Sequence, residues 1–257
     1  MKTTTFRLAA AAFMLLLLTV TLRPAHAAGD STIEVTPQAV VMGAQYNGQN
    51  LTVTGTVPEG SDVVLRFTGA PADMHLREKG KLFGLLWMNV GKVSVKNVPR
   101  VCLVDSSRPF DQIGAAATPF RLEGLRDAIE IEEAAKSPDL DIAHELVLLK
   151  QRDGLYHESE GGVQLAPAAG GVQQFTATLH VPSALATGKY VVEAIALHDG
   201  TVVNKASVPV EAKLTGFPLW LNNLAFDNGL MYGIMATLVA IFSGLAIGMV
   251  FQSKGAH

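Results

Sequence analysis

The residues of this chain that could do chemistry sit in small, separate groups. His144-Glu145 begins like a zinc-peptidase helix, but no second histidine follows at the required spacing, so the pair reads as polar helix surface. Met74-His75 with Met88 offers thioether and imidazole, a ligand set suited to Cu(I); the competing reading is core or surface packing. Ser106-Ser107-Arg108 offers two hydroxyls and a guanidinium. Arg108 either holds a small anion or pairs structurally with an acid on nearby helices. From Glu123 to Glu145 eight acids face only Arg121, Arg126 and Lys136; their irregular spacing reads as a solvated face and matches no EF-hand. Cys102, among Val101, Leu103 and Val104, reads as a small buried hydrophobe, with a reactive thiol as the alternative. A glycine-rich phosphate loop, an HExxH helix and a nucleophile elbow are all absent from the sequence. The expectation is a protein that is not an enzyme and that carries no cofactor and no metal.

Composition narrows the classes further. Of 257 residues 49% are apolar and 17% charged, and the mean hydropathy is +0.28. Such a chain can bury a core, which excludes disorder. Its excess apolarity lies in one stretch at each end, which excludes a polytopic transporter. One cysteine excludes a disulfide framework and a multi-cysteine metal site. A net charge of −3 gives no footprint for nucleic acid.

The two ends predict the compartment. Lys2 and Arg7, the apolar run Leu8–Leu22 and the small-x-small site Ala25-His26-Ala27 form a signal peptide over residues 1–27, with cleavage after Ala27. Its removal takes three positive charges from the chain and leaves the mature protein at −6, an acidic surface that argues against binding anionic lipid or nucleic acid as the main task. Gly229–Phe251 carries no charge and is long enough, at about 1.5 Å per residue, to cross a hydrocarbon core of about 30 Å. Lys254 and the signal peptide together predict residues 252–257 in the cytoplasm and the bulk of the chain in the periplasm, on a single-pass protein of the bacterial inner membrane. Residues 217–228, with Trp220, read as an interfacial segment. Within the span Ala236, Ala240, Gly244 and Gly248 recur every four residues, a smooth ridge of the kind along which helices associate in lipid.

Between the ends, residues 28–216 predict one extracytoplasmic domain, mainly β. Asn50–Val57, Asp62–Thr68 and Lys92–Lys96 alternate with period two. Phe120–Lys136 and the stretch from Ser137-Pro138 to Arg152 show helical spacing, which predicts a helical insertion at about 111–152 with two helices joined at Ser137-Pro138. Phe175–Val181, Lys189–His198, the Asp199-Gly200 turn and Thr201–Ala212 return to strands, the last placed at an edge by Pro209. The order resembles strands E, F and G of an immunoglobulin-like antiparallel sandwich, with Tyr190 near the tyrosine-corner position. Two consecutive small domains are the alternative.

Over nearly the whole mature chain the sequence resembles a bacterial transmembrane-protein family first grouped from alphaproteobacteria and of undetermined function. The carriers are Gly84–Asn89 (GLLWMN), Val98-Pro99, Ser106–Pro109 (SSRP), Leu149–Tyr156 (LKQRDGLY), Gly188-Lys189-Tyr190 and Tyr232-Gly233. Cys102 departs from it, standing where an aromatic residue is expected. The resemblance implies an extracytoplasmic domain with a C-terminal anchor. It also implies genes beside exporters of the sulfite or organosulfonate type, hence an accessory role. The expected function is a non-enzymatic accessory or assembly subunit of a membrane complex, its partners the bilayer and an integral membrane protein or a second copy. The alternative is an extracytoplasmic binder of a small anion or metal that hands its ligand to a membrane partner. Interaction residues are expected in the ridge (Ala236, Ala240, Gly244, Gly248), at Trp87 and Asn89, and at Arg108.

Overall fold

The computed structural model describes residues 31–133 and 141–252; the signal peptide, the Ser137-Pro138 junction and the Lys254 tail lie outside the described residues. In chain order the strands are β1 (Thr32–Thr36), β2 (Ala39–Met42), β3 (Gln49–Pro58), β4 (Asp62–Gly69), β5 (Pro71–Leu82), β6 (Leu86–Pro99), β7 (Cys102–Ser106), β8 (Glu130–Glu133), β9 (Tyr156–Glu158), β10 (Gln164–Leu165), β11 (Val172–Val181), β12 (Gly188–His198) and β13 (Thr201–Leu214). The helices are α1 (Phe110–Ile113), α2 (Leu122–Ala128), α3 (Ile142–Arg152), α4 (Gly216–Asp227) and α5 (Gly229–Gln252), with a 3-10 segment at Ala115–Phe120.

Three sheets form: β1-β3-β11-β10, β2-β13-β12-β4-β7-β9 and β5-β6-β8. The first two face each other as a sandwich. Alternation puts Leu51, Val53 and Val57 of β3 and Phe175, Leu179 and Val181 of β11 on the inner face of one sheet. They meet Val63, Leu65 and Phe67 of β4 and Val192, Ala194 and Ala196 of β12. The order β1-β3-β11 opposite β13-β12-β4 is consistent with the A-B-E and G-F-C arrangement expected from the sequence. Tyr190 stacks on Phe67 at 5.2 Å between centroids and donates its hydroxyl to the Ala186 carbonyl at 2.7 Å, so the largest polar side chain of this core is satisfied.

The six-stranded sheet is covered on its other face too. Val64, Cys102, Val104, Ile195 and Leu197 point away from the sandwich core and are buried under Val93 and Val95 of β6, Phe110 of α1, Leu122 of α2 and Leu146 of α3. On this face Arg66 and Glu193 pair across strands at 2.6 Å beneath the Phe120 ring. Strands β4 and β12 therefore carry apolar runs, Val63–Leu65 and Ala194–Leu197, where both faces are buried.

Some sequence expectations are corrected. Phe120–Lys136 is not one helix: α2 ends at Ala128 and the chain extends as β8, which pairs with β6. The stripe of Leu122, Leu125 and Ile129 suits a helix and also a short helix followed by a strand. The tertiary pairing decides, with Lys96 bonded to Glu132 at 2.8 Å. Helix α3 is capped by Asp141, whose carboxylate accepts from the His144 amide at 2.9 Å. Strand β13 is an edge only up to Val210; over Glu211–Leu214 it gains β2 as a parallel neighbour, and Pro209 falls in the uncovered part. The helical elements of this region begin at Phe110. Strands β5 and β6 form a ribbon that sequence alternation had located only at Lys92–Lys96.

This ribbon continues the β4–β7 pair. Thr68 faces Cys102, the Gly69 amide donates to Val101, and Pro71 faces Pro99. Gly69 also faces Tyr190, at the end of β12 where Gly188 faces Ala212 near the end of β13. The ribbon thus leaves the six-stranded sheet at the same end as α4 and α5.

Candidate functional site

Arg108 stands just past β7, where the chain turns toward α1. Its guanidinium grips the Asp62 carboxylate, Nε to Oδ1 at 2.6 Å and a terminal nitrogen to Oδ2, and the pairing holds its proton more firmly than usual. The Ser107 hydroxyl accepts from the Val63 amide at 3.0 Å, and Ser106 donates to the Arg108 carbonyl at 2.7 Å. The Ser106–Pro109 motif therefore fastens β7 to the start of β4. The acid that Arg108 pairs with lies on a strand, not on the helices. Asp62 begins β4 at the end opposite the ribbon, so Arg108 lies at the far end of the sheet from the span.

Trp87 and Asn89 lie near the tip of the ribbon. The tip is a three-residue loop, Phe83-Gly84-Leu85, closed by the Leu82–Leu86 pair. Phe83, Leu85, Leu86, Trp87 and Met88 are all exposed, Phe83 at 87% and Trp87 at 69%. Lys81 lies over the Trp87 ring at 5.3 Å. Asn89 faces Lys79 beside the Glu78–Lys79 bulge.

The copper set does not assemble. Met74 packs on the second core and His75 bonds Ser94 at 3.0 Å, whereas Met88 faces Gly80, five residues further along β5, about 17 Å at 3.3 Å per residue. Among the described residues no group of three or more His, Cys, Asp or Glu side chains is placed to hold a metal ion. The acidic stretch is partly spent on ion pairs: Arg126 with Asp141 at 2.6 Å and Lys96 with Glu132. Outside it, Glu158 accepts from both Arg121 and the Leu122 amide.

Cys102 is buried, and its thiol is pushed up to about 12, first by desolvation. A buried thiol held in its protonated form is a poor nucleophile. Native protein is expected to leave Cys102 unlabelled by a maleimide at pH 8, with full labelling after denaturation. Rapid labelling of the native protein would return the reactive-thiol reading.

Helix α5 carries the ridge. It is the one helix among the described residues long and apolar enough to cross a membrane, and none of its apolar window is buried. A Cβ placed on Gly244 or Gly248 would meet nothing within 4 Å, so the ridge is open along its glycine half. Thr237 donates its hydroxyl to the Gly233 carbonyl at 2.8 Å and so satisfies itself within the helix.

The structure brings no two of the three candidate places together: Arg108 is at one end of the sandwich, Trp87 and Asn89 at the ribbon tip, and the ridge on α5. Sequence reasoning took Gly84–Asn89 as a carrier of resemblance and named Trp87 and Asn89 as interaction residues, without marking their apolar neighbours. The missed residues are Phe83, Leu85, Leu86 and Met88, an apolar run whose exposure the sequence does not reveal.

Among the described residues, a strand-built body is followed by one apolar C-terminal helix long enough to cross a membrane, the arrangement of a transmembrane protein. The family described as "Putative transmembrane protein (Alph_Pro_TM)" matches residues 32–253, and the chain belongs to that family. No curated protein matches the chain.

Proposed function

We propose that this protein is a non-enzymatic accessory or assembly subunit of a membrane complex, with its sandwich on the periplasmic side of the inner membrane and its short tail in the cytoplasm. The observation that carries the reading is where exposed large apolar side chains gather. They are densest on α4, on α5 and at the ribbon tip. The groups on which a soluble-ligand site would draw are engaged inside the fold: Arg108 by Asp62 and Arg121 by Glu158. Apolar surface of this density is a feature of contact with membrane or protein rather than with a small polar ligand.

The test is purification of the tagged full-length protein from membranes in a mild detergent. A stoichiometric membrane-protein partner or a defined homo-oligomer is expected. A solitary monomer that retains an anion or a metal ion would overturn the reading in favour of a ligand carrier.

A further inference from the structure

We propose that the tip of the β5–β6 ribbon is a second membrane contact, which sinks Phe83, Leu85, Leu86 and Trp87 into the boundary between headgroups and acyl chains. This rests on α5 as a span and not on the accessory role. Four observations carry it.

The first is the distribution of apolar side chains around the tip. Along a strand successive residues face opposite sides. Leu86 and Met88 lie on one face of the ribbon and Trp87 on the other, with Phe83 and Leu85 at the apex, and all are exposed. A surface that docks on a protein needs one apolar face. A tip apolar on both faces suits immersion in a medium that surrounds it.

The second is charge. Over residues 77–92 there are four basic residues, Arg77, Lys79, Lys81 and Lys92, against the single acid Glu78. The chain as a whole is acidic. A local basic collar just behind an apolar tip matches phosphate headgroups, with the lysine stems lying along the apolar zone.

The third is position and reach. The ribbon base leaves the sheet at the end from which α4 departs. Helix α4, at 1.5 Å per residue, separates the body from the span by at most about 18 Å. The ribbon's twelve-residue strand β5 covers about 40 Å. It is therefore long enough to meet the bilayer whether α4 stands upright or lies flat.

The fourth is conformation. Phe83 has φ of 50°, in the left-handed region that bulky residues avoid, beside Gly84 at 73°. The turn that closes β5 on β6 thus holds an aromatic ring outward at its apex, where it is largely exposed.

The experiment uses the full-length protein with Trp220→Phe, which leaves Trp87 as its single tryptophan. It is reconstituted into vesicles of phosphatidylethanolamine and phosphatidylglycerol, with no other protein present. Most of the Trp87 emission is expected to be lost to lipids brominated on the acyl chain, and little to soluble acrylamide. Lys79→Glu with Lys81→Glu is expected to reverse that order in vesicles rich in phosphatidylglycerol. Protection of Cys102 from maleimide confirms a folded body in both proteins. Emission open to acrylamide and untouched by lipid bromine overturns the proposal. If that emission then became shielded on adding solubilised native membrane proteins, the tip would be a protein-docking surface instead. Because the vesicles hold no partner, the result is independent of whether the detergent purification finds one.

Discussion

A chain ending at Phe110 is expected to be unfolded. It keeps β1 to β7 but loses β11, which pairs with β3 over ten residues, and β12, which pairs with β4 over eight. Strand β12 serves both cores at once: Val192, Ala194 and Ala196 face the sandwich interior, while Ile195 and Leu197 face the ribbon and helices. Its loss uncovers Leu51, Val53, Leu65 and Phe67 on one side and Val64 and Val104 on the other. Burying each such side chain is worth about 1.5–3 kcal/mol. Four or five of them therefore match a domain's whole net stability of about 5–15 kcal/mol. The fragment should give a collapsed amide NMR spectrum and no cooperative melt, whereas residues 31–215 should melt in one transition. A dispersed spectrum from the fragment would restore the two-domain alternative.

Replacing Gly244 and Gly248 together with Leu is expected to abolish association in the bilayer without impairing insertion. Both glycines lie on open helix surface, and Leu keeps the segment apolar. In lipid there is no hydrophobic drive between helices, so close backbone approach along small residues supplies the attraction, and two isobutyl groups remove it. A weakening of at least about tenfold, or ~1.4 kcal/mol, is expected. The control places Leu at Thr237 and Ser243, off the centre of the ridge. Both variants should reach the membrane at equal levels, and only the glycine variant should lose its oligomer or co-purifying partner. Equal association would make the helix an anchor alone.

How much of this was legible follows from what each segment is buried against. The strands of the sandwich were, because one face meets a core and the alternation of Leu51-Val53 or Phe175–Val181 records it. So was the tyrosine at the start of β12. The span was legible because its signal is composition alone. Strand β5 was not: Ala72, Met74 and Leu76 alternate with Asp73, His75 and Arg77 for only six residues before the Glu78–Lys79 bulge, beyond which no apolar face continues. Strand β8 borrowed its conformation from β6. At the candidate sites residue type was misleading in a different way. Arg108 looked available because its partner, Asp62, stands 46 residues away in sequence. The tip looked ordinary because hydropathy does not say whether a leucine faces a core or water.

The way the chain leaves the sandwich has a mechanical consequence. Strand β13 runs straight from the sheet into α4, and the Thr215 amide still bonds the Met42 carbonyl at 3.0 Å. Tension applied through the anchor acts along the axis of β13. Its ladder to β12 and its parallel pairing with β2 run across that axis, so their hydrogen bonds are loaded together in shear rather than opened one by one. A body pulled from its membrane end is thus held by hydrogen bonds loaded in shear, and the pull passes into the sheet without unzipping it.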